Sequence, residues 1–188
     1  MYPLFVNMKN KKVVIAGGGK IAYRRLLALL KEEADITVIS PTAIDEIVQL
    51  ANERKIIWHQ RPIEHTDYKD AFLIIAATND PEVNKQIAQD ASPHQLVNVA
   101  SDHESGNVHI PSFFSRGKLT IAVTTEGASP SLAKAIKEKL EEIFDESYED
   151  YVSFLYEQRK KLKEMDLPEK EKKKKLSELL HQFIEKEL

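Results

Sequence analysis

The residues with the clearest chemical potential lie near the amino terminus, in KKVVIAGGGKIAYRRLLALL, where Gly17-x-Gly19-x-x-Ala22 follows an apolar, β-branched run and opens a helical one. In that context Gly17 permits a tight turn, Gly19 lets the backbone approach a pyrophosphate, and Ala22 lets the helix pack closely on the strand. The exposed amides and the positive end of the helix dipole then hold phosphates, so the chemistry implied is dinucleotide binding. The second strand ends in Ser40, Pro41 and Thr42. An acid to grip a ribose is missing there, and so is an arginine for a 2′-phosphate, which favours NAD. Ligands of such folds gather beyond the carboxyl ends of the strands, which selects Thr78 and Asn79 after the fourth strand and Asn98 to Asp102 after the fifth. Asp80-Pro81 reads as a helix cap.

These residues need a framework, and the patterning supplies one. Short β-branched runs at 13–16, 36–40, 56–59, 72–77, 96–100 and 119–124 read as strands. Helical patterns at 20–31, 42–52 and 81–91 separate the first five, with only a short polar link before the fourth. Strands alternating with helices imply an α/β fold, a Rossmann-like doubly wound parallel sheet with right-handed crossovers. The run FLIIAA, apolar on both faces, fits a central strand covered on both sides. After Gly127 no glycine remains, and a charged, helix-prone tail begins with Ser129 as N-cap and Pro130 at the first helical position. Leu132, Ile136, Leu140, Ile143, Tyr151 and Leu155 recur at helical spacing, with a break near 145–147. A last helix from about Pro168 carries Leu176, Leu179, Leu180 and Phe183 on one face. Such stripes must pack on the body or on a second copy of the chain.

At 188 residues the chain suits about one domain plus an appendage, and it is long enough for a hydrophobic core. It has no cysteine, which excludes disulfides, thiolate nucleophiles and cysteine-rich metal sites; the cytoplasm is the expected compartment. The histidines form no i, i+4 pair, so no metal is expected. No apolar run is long enough for a membrane helix. A net charge of −3 argues against a nucleic-acid partner, and the lysine run 170–175 carries glutamate but no interleaved aromatic residue, as a solvated helix face would.

The segments GGGKIAYRRLLALL, AATNDPEVNKQIA, LVNVASD and IPSFFSRGKLTIAVTTEGASPSLAKAIKEKLE together resemble the precorrin-2 dehydrogenase family, the amino-terminal module of siroheme synthases. The resemblance implies NAD-dependent oxidation of precorrin-2 to sirohydrochlorin, a tetrapyrrole substrate and a homodimer. It further implies three parts: a nucleotide-binding domain over 1–112, a dimerisation segment over 113–145 and a helical C-terminal domain over 146–188. Lys20, Ile21, Pro41 and Thr42 fall where similar proteins touch NAD, and Thr124 matches a hydroxyl that lines their pocket. Many members carry an aspartate of catalytic role where this chain has Ser101, with Asp102 one residue later. Some members also insert ferrous iron; here that task would fall to a separate chelatase or to a bifunctional version of the same site. A non-catalytic NAD-sensing module is the alternative from a different class.

Oxidation of a reduced tetrapyrrole removes a hydride and a proton, so a proton acceptor is expected. Asp102 is the carboxylate best placed beyond a strand end, with Glu104 behind it. His103 and His109 flank the same loop. A substrate rich in carboxylates calls for local cations, and Arg24, Arg25 and Arg116 are candidates for bidentate contacts. Thr125 and Ser131 would add hydroxyls to the pocket wall.

Overall fold

A computed structural model describes every residue except His103 and Leu188, and the side chains of 182–188 fall outside the description. The expectations placed on His103 and Phe183 therefore lie outside the described residues. The chain divides into two compact units, Met1–Ile110 and Pro111–Leu188. The expected limit at 112 lies close to this division, whereas the expected limit at 145 falls inside the second unit, in the link between two helices.

The first unit runs β1 (Lys12–Ala16), α1 (Lys20–Lys31), β2 (Asp35–Ile39), α2 (Asp45–Asn52), β3 (Ile57–His59), α3 (His65–Tyr68), β4 (Leu73–Ala76), α4 (Pro81–Asp90) and β5 (Leu96–Val99). The strands form a parallel sheet in the order β3-β2-β1-β4-β5. The chain thus builds outward from β1 on one side, then crosses over to β4 on the other. The reversal leaves a crevice between the carboxyl ends of β1 and β4, held in register by pairs such as Val13↔Leu73 and Ala16↔Ala76. Both strands are buried on two faces, as a central parallel strand must be. Alternation sends Val13 and Ile15 into one cluster with Ala22, Leu26 and Ile47, and Val14 and Ala16 into another with Ile74, Ile87 and Val97.

Three local readings need correction. The helix expected over 42–52 begins at Asp45, and the polar link before β4 contains the single-turn α3. That turn is held by a capping box in which the Glu64 amide donates to Asp67 Oδ2 at 2.8 Å and the Glu64 side chain accepts from the Asp67 amide. Asn98, expected beyond the end of β5, lies within it, opposite Ile75. The exposed edge of β5 is covered by the segment after it. The Asn107 side chain accepts from the Val97 amide at 2.7 Å and donates to the Gln95 carbonyl at 2.7 Å, acting as a short strand partner.

The second unit opens with an antiparallel hairpin, β6 (Ser112–Arg116) and β7 (Leu119–Val123), joined by a two-residue loop whose Gly117 takes φ 55°. The run expected as a strand over 119–124 is therefore half of a separate hairpin, and its partner β6 was not anticipated. α5 (Pro130–Ile143) packs on this hairpin, while α6 (Ser147–Glu164) packs on α7 (Glu169–Glu187). Ser129 caps α5 as expected, its hydroxyl accepting from the Leu132 amide at 3.2 Å, and Pro130 follows at the first position. Ala133 is buried, yet Leu132, Ile136 and Ile143 on the same helix remain exposed.

Candidate functional site

The glycine turn connects β1 to α1 at the mouth of the crevice. Gly17 takes φ 121°, which L side chains rarely adopt, and a Cβ there would collide with the Ala77 carbonyl at the end of β4. Its amide donates to the Ile39 carbonyl at 2.9 Å, tying the turn to β2. Gly18 is equally constrained: a Cβ would strike the Thr42 carbonyl and lie 2.7 Å from Ser40 Oγ. The spacing rule passes over Gly18, and only the folded proximity of Ser40 and Thr42 reveals its necessity. Gly19 differs from both. It is the N-cap of α1 with φ −91°, its added Cβ would meet nothing within 4 Å, and no side chain caps the helix. Ala22 is fully buried beneath the turn, where the helix meets the sheet.

Above this turn lies a cleft of about 530 Å³ lined by Gly17–Gly19, the 39–44 segment after β2, Pro62, Ile63, and the 77–80 segment after β4. A second hollow of about 160 Å³ is lined by Gly19, Lys20, Ile21, Thr78, Asn79, Ala100 and Ser101, among others. The two share Gly19, Ala77, Thr78 and Asn79, so they form one path across the switch from β2 toward β5. The structure thus brings together Gly17, Gly19, Ser40, Pro41, Thr42, Thr78 and Asn79 in the larger cleft, and Lys20, Ile21 and Ser101 in the smaller.

Two interactions missed by sequence reading shape the larger cleft. Ser40 is buried, and its hydroxyl oxygen accepts from Trp58 Nε1 at 3.1 Å. Arg61, just before the Pro62–Ile63 wall, is gripped by Asp67 through Nη1–Oδ2 at 2.8 Å and Nη2–Oδ1 at 2.6 Å. Hydrogen bonds from Arg61 are the chief cause holding the Asp67 carboxyl below its ordinary value of 3.8. Among the described residues lining the larger cleft there is no Lys or Arg, whereas Asp80 is present. Asp80 caps α4 as expected, its Oδ1 accepting from the Glu82 amide at 2.9 Å.

The remaining candidates separate. Asp102 lines neither hollow; its Oδ1 accepts from the Glu104 amide at 2.9 Å and its Oδ2 from the Ser105 hydroxyl at 2.5 Å, which closes the turn after β5. Asn98 is 5% exposed and donates from Nδ2 to the Val108 carbonyl at 3.0 Å, so its side chain braces the sheet edge and is not displayed in the crevice. His109 is half-buried. Arg24 is exposed and Arg25 half-buried, and the Arg25 pKa is pulled down first by burial and then by the charge of Arg24. In the second unit, Arg116 donates to the Ser115 carbonyl at 3.3 Å, lies 3.8 Å from Glu141 Oε1 and stacks over the Phe114 ring. Thr124 Oγ1 accepts from the Glu126 amide at 3.1 Å, and Thr125 Oγ1 from the Ser129 amide at 3.0 Å, which fixes the loop before α5. Among the described residues no cluster of three or more His, Asp or Glu could hold a metal ion, and no helix is long and apolar enough to cross a membrane.

Comparison with known proteins gives a consistent set of matches. A family model described as putative NAD(P)-binding matches residues 4–112, one described as the sirohaem biosynthesis protein central region matches 116–143, and one described as the SirC C-terminal domain matches 148–187. A precorrin-2 dehydrogenase of Bacillus subtilis (strain 168) is 50% identical over 161 residues, covering 86% of this chain and 99% of that protein. A precorrin-2 dehydrogenase of Priestia megaterium is 40% identical over 180 residues, covering 96% of this chain and 89% of the relative. A solved structure titled SirC, precorrin-2 dehydrogenase superposes with a TM-score of 0.83 at 40% identity, covering 95% of this chain and 89% of the other.

Proposed function

The chain belongs to the precorrin-2 dehydrogenase family, and on that premise we propose that it oxidises precorrin-2 to sirohydrochlorin with NAD bound across the glycine turn. It is an oxidoreductase of siroheme biosynthesis. The observation that supports the site is the open backbone at Gly19. A helix end with no side-chain cap and no steric obstruction stands in the crevice between β1 and β4. Amides of the first turn of α1, from Lys20 onward, would donate to a pyrophosphate there, aided by the helix dipole. Ser40, Pro41 and Thr42 would border the ribose, and Lys20, Ile21, Thr78 and Asn79 the nicotinamide end. NAD, when bound, supplies the hydride acceptor.

The choice of NAD over NADP rests on charge. A 2′-phosphate in the larger cleft would find Asp80 in the lining and no Lys or Arg, and the nearby Arg61 is already gripped by Asp67.

Ser101 lines the smaller hollow, and we assign it the task of orienting the substrate beside the nicotinamide. Its hydroxyl cannot serve as a resting base near neutrality, so the proton passes to solvent. Asp102 holds the turn that presents Ser101. Arg24, Arg25 and His109 are retained as contacts for substrate carboxylates. Arg116 and Thr124 stabilise the second unit. The exposed α5 residues Leu132, Ile136 and Ile143 support a homodimer built through this face. Iron insertion is left to a separate chelatase.

The test is anaerobic incubation of the purified chain with precorrin-2 and NAD or NADP, following nicotinamide absorbance and the tetrapyrrole spectrum, then adding ferrous iron. The expected result is equimolar NADH and sirohydrochlorin, slower reaction with NADP, and no protein-dependent acceleration of iron insertion. NAD binding without turnover would refute the dehydrogenase reading.

A further inference from the structure

Asn84 is 1% exposed, on the first turn of α4 and outside every set of residues considered above. Its carboxamide is directed at the two loops that bound the smaller hollow. Oδ1 accepts from the Thr78 amide at 3.0 Å and lies 2.7 Å from the Thr78 hydroxyl, while Nδ2 donates to the Thr78 carbonyl at 3.1 Å. The same nitrogen lies 3.5 Å from Ser101 Oγ, at the outer limit of a hydrogen bond. A carboxamide offers two acceptor sites and two N–H groups, and all four are used here. Three engage one loop residue, Thr78, which follows β4 and lines both hollows; the fourth reaches the loop after β5.

We propose that Asn84 is a positioning residue for hydride transfer, setting the separation between Thr78 at the cofactor and Ser101 at the substrate. The proposal rests on the reading of this crevice as the precorrin-2 dehydrogenase site. The geometry makes Asn84 the brace between the ends of β4 and β5. Because the pyrophosphate is held by the glycine turn, and Asn84 lines neither hollow, loss of the brace leaves NAD affinity in place and misaligns the reacting partners. A displacement of about 1 Å at such a distance from the chemistry lowers rate by up to about a hundredfold.

Asn84→Asp is the first test, since it is isosteric and keeps the acceptor for the Thr78 amide but loses both N–H donors. Asn84→Ser is the second, should a buried carboxylate prevent folding. Single-turnover rates, NAD affinity by calorimetry and thermal melts are measured for both, together with Ser101→Ala and the Asn84→Ser/Ser101→Ala double variant. The expected result is a turnover rate reduced about tenfold or more with NAD affinity within about threefold of the wild type. The double variant should then lose less than the product of the two single losses, because the two residues act on one alignment. Wild-type rates in both Asn84 variants, a loss confined to NAD affinity or melting temperature, or strictly multiplicative losses would each overturn the proposal. Failure of the wild-type chain itself to oxidise precorrin-2 overturns the functional reading and the proposal with it.

Discussion

Replacing Gly19 with alanine separates cofactor binding from folding in a way that replacing its neighbours does not. At Gly19 the backbone has φ −91° and ψ −175°, which alanine adopts freely, and the new methyl group meets nothing within 4 Å. The folding cost is the difference between glycine and alanine at an N-cap, about 1 kcal/mol or less, so the melting temperature should fall by no more than about 4 °C. The methyl group, however, stands where a pyrophosphate must approach the first amides of α1. Losing one charge-assisted hydrogen bond there costs about 1.5–3 kcal/mol, or roughly ten- to a hundredfold in NAD affinity. Gly17→Ala behaves differently, because φ 121° and the collision with the Ala77 carbonyl load the fold itself with strain of about 1–3 kcal/mol before any repacking. Both effects can be read with the intrinsic probe: the sole tryptophan, Trp58, is hydrogen-bonded to Ser40 in the wall of the cleft. Titration of its fluorescence with NAD, checked by calorimetry and run beside thermal melts, gives affinity and stability on one sample. If Gly19→Ala bound NAD within about twofold of the wild type, the cofactor would not pass over Gly19 and the site assignment would fall.

Asp67 is held below 3.8 chiefly by hydrogen bonds from Arg61, so its contribution to stability is complete above that ordinary value and is lost as pH falls through the lowered folded value. Asp67→Asn should therefore melt below the wild type at neutral pH, with the gap closing in thermal scans as pH drops under 3.8. Ile136 is 39% exposed, so Ile136→Lys should leave the chain folded but weaken dimerisation about tenfold or more in sedimentation experiments; an unchanged sedimentation profile would remove α5 from the interface. Asp102→Asn, which keeps an acceptor for the Glu104 amide, should retain turnover within about threefold; a loss of two or more orders of magnitude would make Asp102 the proton acceptor instead.

The parts of this fold that sequence makes legible are those whose causes are local. The bounds of α1 follow from an apolar stripe entered through glycine, and the start of α5 from Ser129-Pro130. FLIIAA announces β4 because a strand buried on both faces has no polar alternation to obscure it. What escapes depends on partners distant in the chain. β6 places Phe113 beside Phe114, which breaks the period of two, and it becomes a strand only by pairing with β7. Gly18 looks dispensable until Thr42 and Ser40 are folded against it. Asn98 seems to lie beyond its strand until its pairing opposite Ile75 is known. The backbone-built cofactor site was therefore largely readable, since glycine spacing encodes it, whereas the side chains around Ser101 needed coordinates. Even there a trace was available: Asn84 is a polar residue between Val83 and Ile87 on the face of α4 that meets the sheet.

The presence of Ser101 bears on which reactions one crevice can perform. Dehydrogenation of the tetrapyrrole sends its electron pair to the nicotinamide and releases one proton, which water can accept once the ring is aligned. Metal insertion is more demanding, because two pyrrole protons must leave while a divalent ion enters, and a nearby carboxylate assists both events. A serine hydroxyl offers alignment but neither negative charge nor useful basicity near neutrality. Asp102 does not restore the missing group, since its two oxygens close the turn with Glu104 and Ser105 and it lines neither hollow. Nor does the crevice recruit a substitute, because the larger cleft has Asp80 as its one carboxylate among the described lining residues and commits that oxygen to capping α4. The arrangement thus suits the reaction in which alignment is the protein's main contribution, and it is in such a reaction that a brace like Asn84 would govern the rate.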